Sequence, residues 1–258
     1  MADNLHAVYT ELFDLVMAND LEVQSKYLSV VEDQRNIPVD YLMSLGAMFI
    51  PNNDYIIYYL GDRALNPKLG FYRNGRCLWS LFVVIPIRDL SGEVVGLCGW
   101  DAYNKYLEVA EGAEGLSKYS VSSSAIFARD KYFLSDVNCL QRAFKHRVIF
   151  VTDGVFDALS LSYRGLPAIA LLGSSFSREV LYFLSWYKHI YVCADNDKAG
   201  LSLHKRLAKS LPSVHSIIQN KTKDIEELLR GDGLDGNITT QLKNLLCNPI
   251  PSDLYLKL

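Results

Sequence analysis

The sequence has no CxxC step, no Cys/His cluster, no internal repeat and no low-complexity tract. The five cysteines, Cys77, Cys98, Cys139, Cys193 and Cys247, are scattered. That spacing excludes a zinc ribbon. It reads instead as small buried hydrophobes in a reducing compartment. No apolar run approaches the roughly 18 residues that a membrane-spanning helix needs, and the start MADNLHAVYTEL is too polar for a signal peptide. The chain is therefore expected to be soluble and cytoplasmic, with no membrane partner. An excess of positive charge is also missing: 26 Lys and Arg face 29 Asp and Glu, a net charge of −3. Any surface for nucleic acid must then be a local patch. What is present is core-forming material. Half of the 258 residues are hydrophobic and 21% are charged, enough for one large domain or two modest ones.

Residues 4–18 and about 20–33 carry apolar residues at helical spacing, and Asn36-Ile37-Pro38 breaks the second stretch. Val39–Leu45 reads as a short helix stopped by Gly46. Residues 47–100 read as strand-rich, with a hairpin turning through Asp89-Leu90-Ser91-Gly92. Here Arg63, Lys68, Arg73, Arg76 and Arg88 interleave with Tyr55, Tyr58, Tyr59, Phe71, Tyr72 and Trp79. Two readings stand: a single-strand platform of stacking rings and phosphate contacts, or ordinary sheet surface over core aromatics. Residues 118–138 read as a polar loop, and the join between the halves falls near 136–146.

The chemistry concentrates in residues 147–200. Val148–Val151 closes on Thr152-Asp153-Gly154, and Ile190–Ala194 closes on Asp195-Asn196-Asp197. Short β-branched and aromatic runs bounded by turn residues read as buried strands. The intervening helical stretches imply a parallel sheet, whose ligand site lies off the carboxyl ends of its strands. Asp153, Asp195 and Asp197 should converge there. Carboxylates brought together repel one another unless a cation neutralises them, and hard oxygen ligands suit Mg²⁺ or Mn²⁺. His146 and His189 flank strands and read as surface or core-edge residues, and Ser174-Ser175 lacks a nucleophile-elbow pattern. Beyond lie an amphipathic helix over 199–211, a strand over 214–218, and a last helix opened by Asp224 as its cap.

A strand ending in Asp153-Gly154, a helix with Asp157-Ala158 near its start, and a strand ending Asp195-x-Asp197-x-Ala199-Gly200 resemble a TOPRIM domain. That fold is shared by topoisomerases, bacterial-type (DnaG-like) primases, OLD-type nucleases and recombination mediators. Upstream, Tyr27-Leu28…Arg35-Asn36-Ile37 resembles the primase YLxxRGI helix. The run from Val84 through Pro86-Ile87-Arg88-Asp89 to Gly99-Trp100 resembles the (M/F)PIRDxxGxxxGFGGR hairpin, and Lys118–Ser122 resembles the KYxNS loop. The resemblance spans about residues 20–230. Asp153 stands where the family normally has Glu, Trp100 where it has Arg, Val121 where it has Asn, and apolar Leu81–Val84 where an Arg precedes the hairpin.

The resemblance implies an α/β protein: an α+β N-terminal subdomain over 1–140, a TOPRIM α/β domain with a mainly parallel sheet over 141–235, and a C-terminal tail over 236–258 packing on the core. It implies a primase that makes short primers on single-stranded DNA by metal-dependent transfer of nucleotides from nucleoside triphosphates. Two or more Mg²⁺ or Mn²⁺ ions would be held by Asp153, Asp195 and Asp197, with Asp224 as a further ligand, and no zinc is expected. Asp157 would either bond locally or meet a metal's water. Gly154 would admit a phosphate close to the backbone. Lys118 would contact phosphate as part of the catalytic set, and Arg88 and Arg76 would contact nucleic acid, although Arg88 is equally a turn residue pairing with Asp89. The span resembles a stand-alone, virus-encoded core, placing it in a host cell's cytoplasm and leaving template choice to a helicase or a separate zinc-bearing protein. The alternatives are a TOPRIM nuclease using the same acids and a non-catalytic DNA- or partner-binding protein on a primase scaffold.

Overall fold

The computed structural model describes residues 4–101, 119–121, 132–134, 136–172, 176–195, 197–218, 225–231, 237–247 and 256–257. The chain divides into two compact units, Met1–Arg129 and Asp130–Leu258.

In the first unit, α1 (Leu5–Arg35) is one helix where the sequence suggests two. Asn4 caps it by accepting from the Ala7 N–H, and Asn36 ends it in the left-handed conformation. The expected break survives as a kink at Asp20, with φ −127° and ψ 23°. There the carboxylate accepts hydrogen bonds from the hydroxyls of Tyr55 and Tyr59, each 2.7 Å long. After α2 (Val39–Ser44) come β1 (Met48–Ile50) and α3 (Tyr55–Leu60). The last is a correction to the strand-rich reading of 47–100. YIIYYL has the β-branched and aromatic composition of a strand. Its buried positions, however, are Tyr55, Ile56 and Leu60, while Tyr58 is 81% exposed, which is helical periodicity.

Asn74-Gly75 turns the short antiparallel pair β2 (Tyr72–Arg73) and β3 (Arg76–Cys77), with φ of 52° and 73° as a mirror-image hairpin turn requires. The expected larger hairpin forms from β4 (Phe82–Arg88) and β5 (Val94–Asp101), bulged between Ile87 and Arg88. With β6 (Tyr119–Val121) they make a sheet of order β1-β4-β5-β6. Its core joins α1, α3 and the sheet around Val8, Leu12, Ile56, Trp79, Val84 and Leu97.

The second unit carries a sheet of order β12-β11-β10-β8-β9-β7. Its strands are β7 (Tyr132–Phe133), β8 (Val148–Thr152), β9 (Ala168–Leu171), β10 (His189–Cys193), β11 (Val214–Ile218) and β12 (Leu256–Lys257). All pairs are parallel except β7 with β9. The helices are α4 (Val137–His146), α5 (Val155–Tyr163), α6 (Arg178–Ser185), α7 (Lys198–Ser210), α8 (Ile225–Gly231) and α9 (Asn237–Cys247). Part of the expected 118–138 loop is thus strand, and α4 fills the stretch read as a join, with Asp136 capping it through the Cys139 N–H at 2.7 Å. One face of the sheet, Ile149, Val151, Ile169, Ile190 and Val192, packs against α4, α6 and α7. The alternate residues Phe150 and Tyr191 point to the other face and stack at 5.3 Å. Among the described residues, no helix is long and apolar enough to cross a membrane.

Candidate metal centre

From β8 the chain first moves to β9 on one side, then returns through α6 to β10 on the other. Strand order therefore reverses between β8 and β10, and such a reversal opens a crevice off the carboxyl ends of the two strands. Cys193 pairs in register with Thr152. The residues just beyond them, Asp153 and Asp195, leave neighbouring strands at the same edge. The Asp153 carboxylate accepts a long 3.4 Å hydrogen bond from the Asp195 N–H.

The structure brings three carboxylates together here: Asp153, Asp157 and Asp195 each offer an oxygen within 4.8 Å of the others. Asp157 comes from the first turn of α5 and is only 8% exposed. Gly154 permits this approach, because a Cβ at that position would fall on Asp157 Oδ2. Gly200 plays the matching part on the other side. A Cβ there would strike the main-chain carbonyl of Asp195, so only glycine lets the first turn of α7 close beneath the acid.

Asp197 is placed differently. It is the N-cap of α7, and its Oδ1 accepts from the Gly200 N–H at 2.8 Å. The cap takes one oxygen of this carboxylate. Asp224 and Lys118 lie outside the described residues, as do Ser174 and Ser175. His189 stands at the opposite end of β10, where its Nδ1 lies 3.2 Å from His215 Nε2.

The donor set fits a hard divalent ion. Adjacent ligands on an octahedral Mg²⁺ stand about 3.0 Å apart and opposed ones about 4.2 Å, for bonds of about 2.1 Å. Three oxygens within 4.8 Å of one another come into reach of one ion by side-chain rotation. Cys193 lies close enough that Asp157 and Asp153 add to the effect of burial in pushing its thiol pKa up.

In the first unit, the Arg88 guanidinium donates to the carbonyls of Gly92 at 2.8 Å and Leu45 at 3.1 Å, and burial lowers its pKa. The Asp89 carboxylate takes the N–H groups of Ser91 and Glu93 instead. Arg63 is bound to Glu11 at 2.9 Å. Phe71, Tyr72 and Trp79 are buried in the core, whereas Lys68, Arg73 and Arg76 are exposed.

Residues 150–229 match the Toprim-like family. The chain is 33% identical over 172 residues to a DNA primase of Thermotoga maritima, covering 63% of this chain and 28% of that protein. It is 29% identical over 93 residues to the Gene 57 protein of Mycobacterium phage D29, covering 34% of this chain and 59% of that one. Among solved structures, the RNA polymerase domain of Mycobacterium tuberculosis primase DnaG superposes with a TM-score of 0.73 at 17% identity, over 94% of this chain and 82% of that one. A DnaG primase catalytic domain bound to single-stranded DNA gives 0.67 at 18% identity, over 93% and 82%. The fold is that of the DnaG catalytic core. The chain spans less than two thirds of the length of these sequence relatives.

Proposed function

We propose that this chain is a primase catalytic core that makes short primers on single-stranded DNA by metal-dependent nucleotidyl transfer. The observation that carries the reading is the cluster of Asp153, Asp157 and Asp195 at the strand-order reversal of a DnaG-type fold. In the reaction a 3′-oxygen forms a bond to the α-phosphorus of a nucleoside triphosphate, and the bond to pyrophosphate breaks. Divalent ions, Mg²⁺ or Mn²⁺, would supply a lowered pKa for the attacking hydroxyl and charge neutralisation at the phosphates. Asp153, Asp157 and Asp195 hold the ions. Asp197 fixes the α7 turn and keeps one oxygen for the same ions. Asp224 adds a further acid and Lys118 a phosphate contact. Gly154 serves by seating Asp157, and Arg88 by fixing the hairpin turn. Arg76, exposed on β3, meets the template.

The phage relative supports a virus-encoded core; such a core would work in a host cytoplasm and leave template choice to a helicase or a separate zinc-bearing protein. The three parts proposed for the chain are an N-terminal subdomain over 1–140, whose last residues (β7 and the start of α4) pack into the second unit, the TOPRIM domain over 141–235 and a tail over 236–258.

The test incubates purified protein with mixed single-stranded templates, labelled nucleotides and Mg²⁺ or Mn²⁺, beside Asp195→Asn. Short products that require Asp195 are expected. Cleaved template in their place would make the chain a nuclease. Neither product, with no calorimetric ion binding, would sink the catalytic reading and leave a binding protein.

A further inference from the structure

Helix α7 carries Lys198, Lys205, Arg206 and Lys209 and no acid anywhere along Lys198–Ser210. Its inward side buries Gly200, Leu203 and Leu207. Its outward side is an open face that presents the four cations together with Leu201 and Ser202. Positions 198, 202, 205 or 206, and 209 follow one another at steps of three or four residues, so they share one helix face. The Arg206 guanidinium lies over the Phe176 ring, 5.5 Å from its centroid, which holds it in place. In a chain of net charge −3 this row departs from the bulk balance. A solvated helix face commonly mixes signs in i, i+4 pairs, and α7 has none.

We propose that this face holds the phosphate backbone of the primer–template duplex as it leaves the acid cluster, an inference that rests on the primase reading. Lys198 follows Asp197 directly, so the row begins beside the site. It then runs 11 residues, about 16 Å at about 1.5 Å per residue. That length matches about five base-pair steps of about 3.4 Å. The chemistry selects a duplex over a single strand. Grooves for single strands combine cations with rings on which bases stack. Among the described residues no ring lines this face, and Arg206 covers the ring of Phe176. A duplex stacks its own bases and offers phosphates alone.

The test uses the whole chain and Lys205→Gln/Lys209→Gln, two exposed side chains remote from the carboxylates. Fluorescence anisotropy follows binding of a labelled RNA–DNA hybrid of about 12 base pairs, and of single-stranded DNA of equal length, between about 50 and about 200 mM KCl. For the hybrid, the slope of log affinity against log salt should shrink by about 1.8, two phosphates at about 0.9 each. Single-strand binding should hold. Dinucleotide formation should also hold, while products beyond about five nucleotides decline. Lys205→Arg/Lys209→Arg should restore the slope. An unchanged slope, an equal loss for the single strand, or a wild type that does not bind the hybrid would overturn the proposal. Wild-type protein that forms no dinucleotide yet shows the slope change would sink the primase reading and leave the duplex-binding face standing.

Discussion

Gly154 owes its place to a neighbour's side chain. Its φ of −103° and ψ of 139° suit any residue, so the demand comes from Asp157, whose carboxylate occupies the space a Cβ would need. Gly154→Ala should therefore leave the fold intact and push Asp157 out of the cluster. We expect Mn²⁺ affinity to fall about 10–100-fold, the usual effect of disturbing a group that orients a ligand, with an unchanged far-ultraviolet circular dichroism spectrum. Calorimetric titration reads the change, and undiminished affinity would remove Asp157 from the ligand set. The same pair decides between two roles that the sequence leaves open. Asp153 and Asp195 are legible because each ends an apolar run. Asp157 is legible through the resemblance, but only the room made by the glycine three residues earlier places its carboxylate with the other two.

At the scale of elements, α1 completes a sheet edge. β1 pairs with β4 on one side. On the other, the buried Gln24 amide accepts from the Phe49 N–H at 2.7 Å and donates to the Phe49 carbonyl at 2.9 Å, as a neighbouring strand would. Buried backbone groups without partners cost about 1–3 kcal/mol each. Gln24→Leu keeps the helix and most of the volume but strands both groups, so urea denaturation should register a loss of about 2–6 kcal/mol. A loss below about 1 kcal/mol would mean that water or a shift of β1 replaces the amide. Periodicity announces α1 as helix but gives no reason for a glutamine on its apolar side. That reason lies in a strand 25 residues away. The misreading of α3 has the same origin. Composition favours a strand, and only the packing of Tyr55, Ile56 and Leu60 against α1 and the sheet makes a helix the better burial.

For the molecule as a whole, the topology creates an electrostatic debt that an ion should settle. Alternating strand and helix signals announced a parallel sheet, but strand order and register are long-range outcomes, and they set three carboxylates within 4.8 Å. Like charges so placed oppose folding, and an ion that binds the folded chain alone reverses the sign. At about 100 times its dissociation constant such an ion adds about 2.7 kcal/mol, about 5–10 °C in melting temperature for a unit of this size. Mg²⁺ or Mn²⁺ should raise the melting temperature by that amount and EDTA should return it. Asp195→Asn should behave oppositely in the two conditions. Without metal it should melt no lower than wild type, since one repulsive charge is gone, and with metal it should gain little. A wild type that melts identically with and without the ion would separate the three acids from any metal role. An Asp195→Asn variant that is destabilised without metal would show that hydrogen bonding, not repulsion, governs the carboxylate's place at the end of β10.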